Sequence, residues 1–146
     1  VKNLSKAGGN GTNADVGVDG DGDAVYTWQG HDGSTFRAQG RARSAAGTLS
    51  AIQTLSPAGE TIFIDPPHVA VDASGDAVFT WLNFTLGQIQ ARTRTATGTL
   101  GSVETLSAAG QSADEHQVAI GGDGNAAVSW RRSDGTHFRV QGADGP

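Results

Sequence analysis

One motif occurs three times in this chain, and it restricts the possible folds more than any other feature. It reads VGVDGDGDAVYTW at residues 16–28, VAVDASGDAVFTW at 69–81 and VAIGGDGNAAVSW at 118–130. Each copy is an apolar run, an Asp/Gly turn and a second apolar run ending in tryptophan. Trp28, Trp81 and Trp130 lie 53 and 49 residues apart. Periods of that size belong to solenoids, propellers and arrays, in which each supersecondary unit buries its face against the next.

The repetition extends beyond the motif. Gln39, Arg41 and Arg43 align with Gln90, Arg92 and Arg94, and Gln141 opens the same segment a third time. AIQTLS at 51–56 aligns with SVETLS at 102–107, and VKNLS at 1–5, followed by Ala7 and Gly8, carries the same pattern. Each unit reads as four strands: A at 16–19, 69–72 or 118–121; B at 24–28, 77–81 or 126–130; C at 36–43, 88–95 or 138–142; and D at 52–56, 103–107 or 1–5. Strands A and B are nearly continuous apolar runs, which predicts burial on both faces. Strand C alternates, which predicts a half-exposed strand with Arg37, Arg41, Arg92 and Arg94 on a solvated surface, paired with Asp or Glu. Composition agrees with an all-β chain rich in tight turns: 22 of 146 residues are Gly, and 12 of the 15 acids are Asp, both poor in helices and good in turns.

The stretch VDASGDAVFTW and its two counterparts resemble the first hairpin of NHL-type blades and of related bacterial tandem propeller repeats. The resemblance covers strands A and B of all three units. It implies a β-propeller with three four-stranded antiparallel blades in a single domain spanning 1–146, at about 16–56, 69–107 and 118–146, the last completed by 1–5. Inner strands drier than outer ones and the length of the repeat also suit a blade.

Three blades do not close a ring, because propellers have roughly four to eight. An open arc leaves apolar sheet faces and unpaired edges in water. The sequence therefore predicts a homodimer that closes a six-bladed ring, in which residues 1–5 of each chain complete the third blade of the other by strand swap. The alternative is that these units are part of a longer propeller.

Charge and composition narrow the partners. The net charge of −5, with no basic block, argues against nucleic acid. No apolar run is long enough to insert in a membrane, the residues from Val1 do not read as a signal peptide, and with no Cys there is neither disulfide nor thiol chemistry. Localisation stays open. The turn holding Asp19, Asp21 and Asp23 imitates a calcium loop, yet its charge thins to Asp72, Ser74 and Asp76, then to Asp123 and Asn125. No bidentate Glu follows in register. A tight hairpin needs these residues in any case, so neither a metal nor a cofactor is assigned.

In a blade, the B–C and D–A loops share one end. That end gathers His31 and His137 from B–C loops, His68 and His116 from D–A loops, and the tryptophans that finish strand B. The candidate ligand-binding residues are Trp28, His31, Asp32, Trp81, Trp130, Arg131, Asp134 and His137. A tryptophan at a repeated position either wedges between blades or stacks on the apolar face of a sugar. The insertion Ile62-Phe63-Ile64 before Pro66-Pro67 breaks the repeat; plugging a central channel, packing on a neighbour and forming part of a pocket are the roles open to it, and packing is the one expected. No Ser-His-Asp constellation is present, and the acids are mostly repeated turn residues, so no enzyme activity is expected. The expected function is a lectin-like binding module for a glycan; the alternative is a structural or protein-interaction propeller with no small-molecule ligand.

Overall fold

A computed structural model describes all 146 residues. The chain is all-β, with eleven strands in three antiparallel sheets that follow one another in sequence. The first sheet holds β1 (Gly11–Val18), β2 (Ala24–His31), β3 (Phe36–Arg43) and the short β4 (Gln53–Thr54). In the second are β5 (His68–Val71), β6 (Ala77–Asn83), β7 (Gln88–Arg94) and β8 (Leu100–Thr105). The third has three strands, β9 (Ala113–Ile120), β10 (Ala126–Ser133) and β11 (Phe138–Asp144). The leading strands β1, β5 and β9 adjoin one another across the sheets.

The repeated Asp/Gly turns join the first two strands of each sheet. Asp19 Oδ1 accepts hydrogen bonds from the amides of Asp21 and Asp23, and Asp72 Oδ1 does the same for Ser74 and Asp76. Each turn passes through a left-handed glycine (Gly22, Gly75 and Gly124), a conformation without steric penalty only for that residue.

Side chains alternate across the middle strands, and the alternation assigns them to two neighbours. In the second sheet, Ala77, Phe79 and Trp81 pack back onto Val25, Ala38 and Leu55 of the first. Val78 and Leu82 face the other way, toward Ala126 and toward Val128 and Trp130 of the third sheet. Gly40 matters at the first interface: a Cβ there would lie 3.3 Å from both the Phe79 ring and Leu55.

Stacking leaves one face of the first sheet and the opposite face of the third uncovered. Val69 of the second sheet is 7% exposed, whereas Val16, its counterpart in the first, is 49% exposed. Ile89 is fully buried, whereas Val140, its counterpart in the third, is 85% exposed. The expectation that the first two strands of every unit are buried on both faces therefore fails for β1, which has no sheet behind it, and for β9 and β10, whose Ala119 and Ala127 face the uncovered side of the third sheet.

The arginine row is also not a solvated surface. Arg92 donates to the carbonyl oxygens of Gly101 and Leu55, so it ties the second sheet to the outer segment of the first. Arg94 Nε donates to Gln53 Oε1, and Arg41 to the carbonyls of Ser50 and Leu4. Only Arg37 has an acidic partner, Asp32. Carbonyls at a sheet edge are the acceptors these guanidinium groups reach, because strand C faces the preceding unit rather than water.

Residues 1–5 are not in a strand within this chain. Their place against the first sheet nevertheless repeats that of 52–56 against the second. Lys2 Nζ donates to the Gly47 carbonyl as Gln53 Nε2 does to Gly98, and Arg41 holds the Leu4 carbonyl as Arg92 holds that of Leu55.

Candidate ligand-binding face

The tryptophans belong to the core. Trp28, Trp81 and Trp130 are 3%, 0% and 5% exposed. Each indole N–H donates to the side-chain oxygen of the glutamine opposite it on the neighbouring strand: Gln39, Gln90 and Gln141. That pair explains the glutamine repeat, since a buried indole N–H needs an acceptor. Of the two roles open to these rings in the sequence, Trp81 and Trp130 take the wedge between units. Trp28 has no preceding sheet; residues 2–5 lie beside it instead and leave a recess of about 290 Å³.

Asp32 and Asp134 occupy equivalent turns, Asp32-Gly33-Ser34-Thr35 and Asp134-Gly135-Thr136-His137, and do the same work. Asp32 accepts from the backbone amides of Thr35 and Ser34, the Ser34 hydroxyl and Arg37. Those bonds, the backbone ones first, hold its carboxyl well below the usual carboxylate range. Asp134 is lowered likewise by the His137 amide, Arg139 and the Thr136 amide and hydroxyl. Both carboxylates close their turns. Arg131 is engaged too: it pairs with Asp114 and Glu115, and its guanidinium lies 4.3 Å from the centre of the Phe138 ring. The Asp114 hydrogen bonds raise its already high pKa. His137 is exposed in its turn, with Nδ1 3.0 Å from the Thr136 hydroxyl.

Two of the four histidines are not in loops: His68 begins β5 and His116 lies within β9, so both sit on leading strands. Asp15 Oδ2, His68 and Gln117, which hold equivalent positions in the three units, form a chain of contacts of 3.2 and 3.4 Å. His116 is fully buried, edge-on to His68 at 5.0 Å, and its Nδ1 meets Asp65 Oδ2 at 3.1 Å. Burial pushes the Asp65 carboxyl up, but the His116 hydrogen bond and charge, with the amides of Glu115 and His116, outweigh it and leave the pKa lowered.

His31 is the predicted site residue that opens onto a usable surface. On one side it stands edge-on to Phe36 at 5.1 Å, and Phe36 leads to Phe63 at 5.9 Å and on to Phe84 at 6.2 Å. Phe63 and Phe84 are about half exposed, with Ile64 and Leu86 open beside them. On its other side is a cleft of about 240 Å³ lined by Ser5, Lys6, Gly9, Asn10, His31, Asp32 and Gln39, with no apolar side chain among them. The insertion at 62–64 thus divides: Ile62 is fully buried in the core, as expected of a packing segment, whereas Phe63 and Ile64 face water.

Ile64 is in the left-handed region, at φ 66°, which a β-branched residue rarely adopts. Asn13 and Glu115, at the same place in the other two units, share this conformation (φ 53° and 52°). The left-handed turn is therefore common to all three units, although only the first and third carry it as a bulge in the leading strand, and only the middle one places a β-branched residue there. Sequence reasoning named the insertion but not the aromatic row, because only Phe36 sits on an aligned strand, whereas Phe63 belongs to the insertion and Phe84 to a loop that does not align.

No protein-family model matches the chain, and no curated protein sequence matches it. Among solved structures it is similar to a fucose lectin from Kordia zhangzhouensis in complex with methyl-fucoside, at 12% identity over 88% of this chain and 96% of that one, with a TM-score of 0.44. Likeness at that level leaves both fold family and function to be argued from the chain's own residues.

Proposed function

We propose that the chain is a non-enzymatic, lectin-like carbohydrate-binding module whose three sheets are blades of a β-propeller. The observation that carries the reading is the row His31–Phe36–Phe63–Phe84, in which all but the half-buried Phe36 are open to solvent, beside a wholly polar cleft. Aromatic faces stack on the C–H faces of a sugar ring, and a cleft with two amides, one hydroxyl, one ammonium, one carboxylate and an imidazole meets its hydroxyls. The cleft is smaller than sites for drug-sized ligands, which run to about 300–1,000 Å³, and suits a single ring.

The test is a glycan array probed with the native chain and with Phe63→Ala and His31→Ala. Hits that weaken at least tenfold in both variants are expected. An array with no hits, or hits that ignore both substitutions, removes the reading. A second reading, a structural or protein-interaction propeller, draws on the complete burial of the tryptophans and takes over if the array is silent.

A further inference from the structure

We propose that residues 1–5 are the outer strand of the third sheet of a second copy, so that two chains exchange this strand reciprocally and close a ring of six sheets. The proposal rests on reading the sheets as blades but not on any glycan.

Three contacts fasten each complete sheet's outer segment to the strand beside it. The Leu55 amide donates to the Ala38 carbonyl, and the Leu106 amide to that of Ile89. Ser56 Oγ accepts the Ala38 amide at 3.2 Å, and Ser107 Oγ that of Ile89 at 2.8 Å. Arg37 then reaches the Ser56 carbonyl, and Gln88 that of Ser107. In the third sheet the partners wait without a strand: Val140 takes the place of Ala38 and Ile89, and Arg139 the place of Arg37. Arg139 keeps the bond to Asp134 that matches Arg37–Asp32, but is otherwise exposed. Leu4 and Ser5 supply the missing leucine amide and serine hydroxyl in the same order.

No rearrangement of the donor is required. Lys2 and Leu4 already lie against the first sheet as Gln53 and Leu55 lie against the second. Residues 1–5 therefore stand where an outer strand stands relative to the next sheet. The third sheet of a second copy fits beside them, and it brings the uncovered face around Val140 against the uncovered face around Val16 and Val18.

Sedimentation of the native chain at micromolar concentration should give a single species of twice the 14.9 kDa chain mass. The registers Gln39↔Thr54 and Gln90↔Thr105 place Leu4 directly opposite the partner copy's Val140, a spacing a disulfide can span. The chain has no cysteine, so Leu4→Cys with Val140→Cys should give a covalent dimer on a non-reducing gel, and neither single variant should. Arg139→Glu should weaken the dimer at least tenfold, because its side chain is peripheral within one chain and central only to the exchange. A monomer that keeps its β-sheet circular dichroism overturns the exchange and leaves the blade reading standing. Cysteines that pair within one chain or not at all, or an open-ended series of masses, also overturn it.

Discussion

Ile64 holds a backbone conformation that its two counterparts show to be structural. Left-handed φ costs a β-branched residue about 1–2 kcal/mol, whereas asparagine accepts it, as Asn13 does in the first unit. Ile64→Asn should therefore raise the unfolding free energy by about 1 kcal/mol, read from the midpoint of chemical denaturation. The side chain is 66% exposed, so its loss removes little packing. If the aromatic face binds glycan, the same variant should bind more weakly while being more stable, since strained residues persist where function holds them. A variant both less stable and unchanged in binding would refute the strain argument. Trp81 is the opposite case. Trp81→Phe keeps most of the ring but leaves Gln90 Oε1 buried without its donor, which should cost about 1–3 kcal/mol.

Single side chains join whole strands here, and the cost of removing them depends on the sheet. Ser56→Ala strips an acceptor from the Ala38 amide and from Arg37 Nε, both buried, and should cost about 1–3 kcal/mol in thermal or urea unfolding. Acid should loosen the strands joined through Asp65 and His116. Asp65 has a lower pKa folded than unfolded, so its pairing stabilises the fold above the ordinary carboxylate value of about 3.9. That stability is lost as pH falls through the folded value. Asp65→Asn should flatten the acid limb of a plot of melting temperature against pH between 2 and 6. Much of this scale is legible in the sequence: the tripled motif, the Asp/Gly turns and the recurrence of Gln39, Gln90 and Gln141 follow from period and propensity, though not that each glutamine accepts from a tryptophan. The direction of strand C was not, because alternation shows that Arg41 and Arg92 share a face but not that the face meets another sheet. Nor was the burial of His116, since a histidine four residues from a turn reads as a loop residue until Asp65 is seen beside it. The ligand face was the least legible, for Phe63 and Phe84 reach Phe36 from segments that the repeat does not align.

At the scale of the molecule, the distinction that matters is between a surface and a waiting interface. Val140 is almost fully exposed in one chain. A substitution there in a solitary molecule is expected to shift stability by no more than about 0.5 kcal/mol. In a closed ring the same position is a counterpart of the fully buried Ile89, where an unpaired ammonium carries a heavy desolvation cost. Val140→Lys thus separates the two cases without any ligand. The native chain should melt at a temperature that rises with its own concentration, because association stabilises the folded form by mass action. For a chain of this size, about 1 kcal/mol corresponds to roughly 2–4 °C, which scanning calorimetry resolves across a tenfold dilution series. Val140→Lys should lower the melting temperature at high concentration and erase its dependence on dilution. The same substitution should leave the monomer limit almost unmoved. A melting temperature that is independent of concentration in the native chain, and indifferent to the lysine, would mean that the exposed valine is simply surface.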